Sequence, residues 1–174
     1  MKEYMLKDKY KEIEENIYER IYEDSLGNVV LTVVISLSKN KKYWILKTFL
    51  SGCGIGMRET TFKYPEEYSM MFNDDEAIAI FLTDNDFINT NMGCFSWRGM
   101  FNVFTVYVYY GYTWRCRVEG PNLIKEKPVQ HNLDIYNFLK ECGIEKEIIY
   151  DDDIIEEDEP VNEEEINRIL HLKH

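Results

Sequence analysis

Apolar and polar positions change period several times along this chain, and each change predicts an element. Over residues 3–24, Leu6, Tyr10, Ile13, Ile17 and Ile21 recur at spacings of 4, 3, 4 and 4, with Lys7, Lys11, Glu14, Glu15 and Glu19 on the remaining positions. That spacing predicts an amphipathic helix whose stripe packs on a sheet. Ser25-Leu26-Gly27-Asn28 ends it, with Gly27 free to take a positive φ. The run Val29 to Leu37 is dominated by β-branched residues and reads as a strand buried on both faces. A polar turn at Lys39-Asn40-Lys41-Lys42 leads to a second strand, Tyr43 to Leu50, which closes a hairpin.

Gly52, Gly54 and Gly56 interrupt this pattern, and Met57 to Tyr64 reads as a short third strand. Pro65-Glu66-Glu67 opens a helical turn through Phe72, because proline suits a first helical position and acids suit the positive end of the helix dipole. After a turn at Asn73-Asp74-Asp75, the apolar run Ala77 to Leu82 reads as a strand, with helix as the alternative that its alanines and the preceding Asp leave open, and Asp84 to Gly93 as a polar loop. Met100 to Tyr110 and Tyr112 to Val118 form the clearest hairpin, with alternating Val103, Thr105, Tyr107, Tyr109 and Phe104, Val106, Val108, Tyr110 about Gly111. Pro121 and Pro128 bracket a connector. Leu133 to Cys142 reads as a helix capped by Asn132 and closed by Gly143. Asn162 to Leu172 reads as a last helix, with Asn162 and Glu165 at capping-box spacing. No internal repeat is visible. The fold expected is α+β: a largely antiparallel sheet of about five strands, an N-terminal helix and two short C-terminal helices.

Charge changes this picture at one end of the chain. The 174 residues carry 20 Lys+Arg and 32 Asp+Glu, a net −12. Residues 141–165 alone hold 13 acids against Lys146, so the rest of the chain is neutral. The chain therefore divides into a globular domain, residues 1–144, and an acidic arm, residues 145–174, ending in the short helix. Such an arm repels nucleic acid and anionic membranes and attracts a basic protein surface. Within it, Ile154-Ile155 sits between Asp151-Asp152-Asp153 and Glu156-Glu157, two apolar anchors inside an acidic run.

The candidate chemistry is sparse. Cys53, Cys94, Cys116 and Cys142 are spaced by 41, 22 and 26 residues with no Cys-x-x-Cys pair, and there are three histidines, which speaks against a zinc site and for reduced thiols. The charged N-terminus is unlike a signal peptide, and no apolar run is long enough for a membrane helix, so a cytoplasmic setting is expected. Ser51 to Met57 contains Gly-x-Gly-x-Gly, but the dinucleotide fingerprint needs Gly-x-Gly-x-x-Gly and an immediate helix. Asp84, Asp86, Asn89 and Asn91 miss the glycine and glutamate positions of a calcium loop. Cys94 and His131, with Asp134, Asn132 or Asp86 as orienting group, are the one nucleophile–base pair on offer, and they support a thiol-dependent hydrolase as an alternative reading.

Tyr107, Tyr109, Tyr112, Trp114, Arg115 and Arg117 crowd one hairpin, and Tyr, Trp and Arg dominate protein-interface hot spots. The sequence thus points to a binding protein without cofactor or metal. It is expected to inhibit or neutralise a protein partner through the aromatic hairpin and residues 151–157, in the manner of phage or viral anti-defence proteins and toxin-immunity proteins. An accessory subunit of an assembly is the third reading. Oligomeric state is left open.

Overall fold

In a computed structural model of the protein, residues 1–51, 55–91, 93–98 and 103–144 are described. The class is α+β, as expected, but the strands form two five-stranded antiparallel sheets. The first contains β1 (Lys11–Glu14), β2 (Ile17–Glu23), β3 (Val29–Leu37), β4 (Trp44–Leu50) and β5 (Ile55–Phe62) in chain order. The second contains β6 (Ile88–Asn91), β7 (Cys94–Arg98), β8 (Thr105–Tyr110), β9 (Trp114–Gly120) and β10 (Leu123–Val129), again in chain order. A short helix α1 (Lys2–Lys7) precedes the first sheet. A 3-10 helix (Pro65–Met71) and α2 (Asp74–Asp84) follow it, and α3 (Asn132–Glu141) follows the second sheet. Each half is thus a meander of consecutive hairpins ending in a helix.

Five expectations fail here. The helix expected over residues 3–24 is α1 followed by the β1–β2 hairpin. Lys9 and Asn16 adopt positive φ of 64° and 59°, which breaks any helix through this region. The spacing of four between Ile17 and Ile21 also satisfies a strand, because four is even and returns to the same face, while Ile13 lies across the Asn16 turn in β1. Tyr18 and Tyr22 on the opposite face go into the core. The strand expected over Ala77 to Leu82 lies inside α2, whose N-cap Asn73 accepts a hydrogen bond from Glu76 N at 2.9 Å. The 84–93 loop contains β6, and the proline-bracketed connector contains β10, an edge strand in which Pro128 is tolerated. The C-terminal helix at α3 is capped at His131 rather than Asn132, and Gly143 closes it with φ 79°. The helix expected over 162–172 lies outside the described residues.

Side-chain alternation assigns the faces. In the first sheet Tyr18, Tyr22, Leu31, Val33, Ile35, Leu46, Thr48 and Leu50 turn inward and are buried. In the second, Phe95, Val106, Val108, Trp114, Cys116 and Val118 do the same. Both sets belong to one continuous core with Ile78, Leu82, Ile135 and Leu139 of α2 and α3. The β3 run is therefore half-buried in alternation rather than buried on both faces.

Polar groups join the parts at three places. Glu76 on α2 is 3% exposed and receives four hydrogen bonds. Its Oε1 accepts from Thr48 Oγ1 and from Arg58 Nε at 2.8 Å; its Oε2 accepts from the other arm of the Arg58 guanidinium and from Asn73 N at 3.0 Å. Trp114 Nε1 of β9 donates to Asp75 Oδ1 at 2.8 Å, which fixes the second sheet to the same helix. Asp24, in the β2–β3 turn, accepts from Leu26 N, Asn28 N, Asn28 Nδ2 and, across to the second sheet, Asn89 N at 2.9 Å. Burial pushes the Asp24 carboxyl up, but the hydrogen bonds from Asn28, Asn89 and Leu26 outweigh it and hold the group below its usual range.

A depressed carboxyl stabilises the fold at pH above its unfolded value, and that contribution is lost as pH falls through the folded one. Asp24→Ala is expected to cost about 2 kcal/mol at neutral pH by leaving buried donors unpaired. In urea melts the difference from wild type should shrink steadily below about pH 4. A difference that stays constant down to acid pH would show that Asp24 acts through packing alone.

Candidate protein-binding face

The β8–β9 register decides which residues of the aromatic hairpin meet. Tyr107 pairs with Arg117 and Tyr109 with Arg115, while Val108 pairs with Cys116 on the buried side. Directly paired residues of an antiparallel ladder share a face. Tyr107, Tyr109, Arg115 and Arg117 therefore form a two-by-two array on the outer face of the second sheet. Neighbouring strands extend each row: Cys94–Tyr109–Arg115–Pro128 and Ser96–Tyr107–Arg117–Glu126. All four array residues are half-buried. Tyr112 stands fully exposed at the tip of the Gly111–Thr113 turn.

Trp114 does not share this face. It turns inward with 3% exposure, packs 5.3 Å from Tyr110 and 6.2 Å from Phe95 between ring centroids, and donates to Asp75. Its indole is a core and helix-docking group, so it is not available to a partner. The acidic and apolar positions Asp151, Asp152, Asp153, Ile154, Ile155, Glu156 and Glu157 lie outside the described residues.

Two acids that the sequence reading left out complete the array. Glu126 of β10 accepts from Arg115 Nε and lies 3.9 Å from Arg117; Glu119 of β9 accepts from Arg117 Nε at 2.8 Å. Hydrogen bonds from Arg115 and Tyr109 hold the Glu126 carboxyl below its ordinary range. Burial, followed by the hydrogen bond to Glu126, raises the Tyr109 phenol. Arg115 is raised in turn, first by its bond to Glu126. The outer face is thus charge-balanced and hydrogen-bonded, with aromatic rings held between ion pairs. The signal for Glu126 was the alternation Lys125-Glu126-Lys127, which reads as a strand once the flanking prolines are allowed at its end and beyond it.

The nucleophile–base pair fares differently. Cys94 projects from β7 on the outer face, in the row with Tyr109. His131 follows β10, three strands away, or about 14 Å at normal strand spacing. Its Nδ1 sits 2.9 Å from Asp74 Oδ1 at the start of α2, and that hydrogen bond raises the imidazole pKa. Asp134 accepts from Gln130 N and His131 N as the α3 capping acid. The structure therefore places Cys94, His131 and Asp134 in three separate local roles and brings no pair of them into a catalytic arrangement. Among the described residues, no group of three or more His, Cys, Asp or Glu side chains is arranged to hold a metal ion. Gly52, Cys53 and Gly54 lie outside the described residues; Gly56 is in β5, so a strand rather than a helix follows the glycine run. No helix of the described residues is long and apolar enough to cross a membrane.

Cys94, Cys116 and Cys142 carry free thiols in very different settings. Burial in the core, with a smaller contribution from Cys142, pushes the Cys116 thiol up to about 12. Alkylation of the native protein followed by peptide mapping should label Cys94 early and Cys116 only after denaturant is added, because the thiolate is the reacting species. Early labelling of Cys116 would contradict the inward assignment of β9.

With the face, its ion pairs and the thiols in place, the chain was compared with known proteins: no protein-family model, no curated protein and no solved structure matches it.

Proposed function

We propose that this protein is a non-enzymatic binding protein that inhibits or neutralises a protein partner, of the anti-defence or immunity type, acting in the cytoplasm. The observation that carries the reading is the Tyr107, Tyr109, Arg115, Arg117 array, set in register on a solvent-facing sheet beside the exposed Tyr112. Tyrosine and arginine are the side chains that most often concentrate binding energy in an interface. Glu126 and Glu119 already hold the Arg115 and Arg117 side chains, so less conformational entropy remains to be lost by them on binding. The acidic run supports a partner with a basic surface, since the charge of residues 141–165 is available for steering. Ile154 and Ile155 are proposed as apolar anchors within it. Thiols such as Cys94 and Cys142 remain reduced in the cytoplasm. Nucleic acid is a poor partner for this face, because both arginines are already neutralised by carboxylates.

The two parts predict different kinetics. A Tyr107→Ser, Tyr109→Ser variant should lose at least about tenfold in affinity, mainly through faster dissociation. Replacing Asp151, Asp152 and Asp153 by Asn should instead slow association and flatten its salt dependence. Partners captured from host lysate by wild type should be quantified with both variants, then measured by surface plasmon resonance. Equal capture and unchanged kinetics in both variants would refute the reading.

A further inference from the structure

The outer face of the first sheet, not used in the binding reading above, carries a pattern of its own. The register sets Lys11, Glu19, Val34, Lys47 and Glu59 side by side across β1 to β5. Their inward neighbours Tyr18, Val33, Leu46 and Thr48 are buried, so this stripe faces solvent. Its charges run positive, negative, neutral, positive, negative. On either side of the stripe the same face carries large apolar groups on β2 and β4 about a small polar centre: Ile17, Ser36 and Ile45 share one row, with Glu14 and Thr61 at its ends, and Ile21, Thr32, Phe49 and Met57 share the other. Ile21 is 47%, Phe49 51% and Met57 68% exposed, so nothing among the described residues covers them.

We infer that this face binds a second copy of the chain through a two-fold axis running along β3. The charge order is antisymmetric about the central strand. Rotation about that strand brings β1 opposite β5 and β2 opposite β4. Lys11 then faces Glu59 of the other copy, Glu19 faces Lys47, and Val34 faces Val34. The same rotation sets Ile17 against Ile45 and Ile21 against Phe49. Within the stripe every charge meets its opposite, Glu14 faces the hydroxyl-bearing Thr61, and the large apolar groups of β2 and β4 meet apolar ones, which is what an isologous interface requires. Aligned sheets pack about 10 Å apart at about 30°, so the stripes rather than single atoms face each other.

The size of the face sets the strength. Five strands at about 4.8 Å and about six residues at 3.3 Å give roughly 500 Å² per copy. A pair then buries roughly 1,000 Å², the low end for a specific interface, so the dimer is reversible. The Lys47–Glu59 ion pair within each copy, at 3.1 Å, becomes part of a four-charge network on association.

Sedimentation velocity of the full chain from about 1 to 100 μM should show a monomer giving way to a dimer, as expected for an interface of this size. Glu19→Lys and Lys47→Glu, each on an exposed or half-buried surface position, should separately weaken self-association at least tenfold. An equimolar mixture of the two variants should recover the dimer, because each altered charge then faces its complement. A wild-type chain that stays monomeric over this range overturns the inference. So does a dimer that both variants leave intact, or a mixture that fails to associate where wild type does.

Discussion

A single buried carboxylate, Glu76, holds together the elements on which everything else rests. Removing a carboxylate from water is costly unless its lone pairs are filled and its charge is matched. Here both conditions are met. Thr48 comes from β4, Arg58 from β5 and the Asn73 amide from the helix's own cap. Arg58 also donates to Met71 O at 2.6 Å, tying down the 3-10 helix that leads into α2. One side chain thus serves as the capping-box acid of α2 and as counter-ion for the inner face of the first sheet. Its neighbour Asp75, placed by the same cap, receives Trp114 from the second sheet. Helix α2 is therefore fixed to one sheet by Glu76 and to the other by Asp75.

This arrangement decides which surfaces are free to act. With α2 and the apolar inner faces of both sheets in one core, each sheet turns its other face outward. Those two outer faces differ in chemistry. The second sheet presents tyrosines among ion pairs, the face proposed above to meet a different protein. The first presents a stripe of alternating charge flanked by exposed aliphatic and aromatic groups, the face inferred to meet a second copy. Three of the four edge strands are short or guarded: β1 and β6 have four residues each, and β10 carries Lys125, Lys127 and Pro128.

In the first sheet β3, β4 and β5 were legible in the sequence, and in the second only the β8–β9 hairpin was. Tyr107 and Tyr109 alternate with Val106 and Val108 over a run with no competing period, so the hairpin and the shared face of the array could be read directly. Residues 10–23 were misread because isoleucines four apart satisfy helix and strand alike, and the deciding facts, positive φ at Lys9 and Asn16, are conformational. At α2 the signal was present in Asn73-x-x-Glu76, the spacing that was recognised at Asn162 and Glu165, but the apolar run from Ala77 outweighed it. The inward turn of Trp114 follows from parity with Cys116 and Val118, both buried. Glu119 and Glu126 were missed because their importance depends on strand register, which joins residues distant in sequence. The division of ten strands into two sheets has no local signature; it follows from how α2 separates the meanders.

A double-mutant cycle on Glu76→Gln and Arg58→Met, read by urea denaturation, tests the central claim. If the pair is the node described, each single change should cost about 2–3 kcal/mol, since one buried group loses its partner while Arg58 keeps some access to water. The double variant should then be little worse than either single one, giving a coupling energy of about 2 kcal/mol. Costs that simply add, within about 0.5 kcal/mol, would contradict it and show that α2 is held by apolar packing alone.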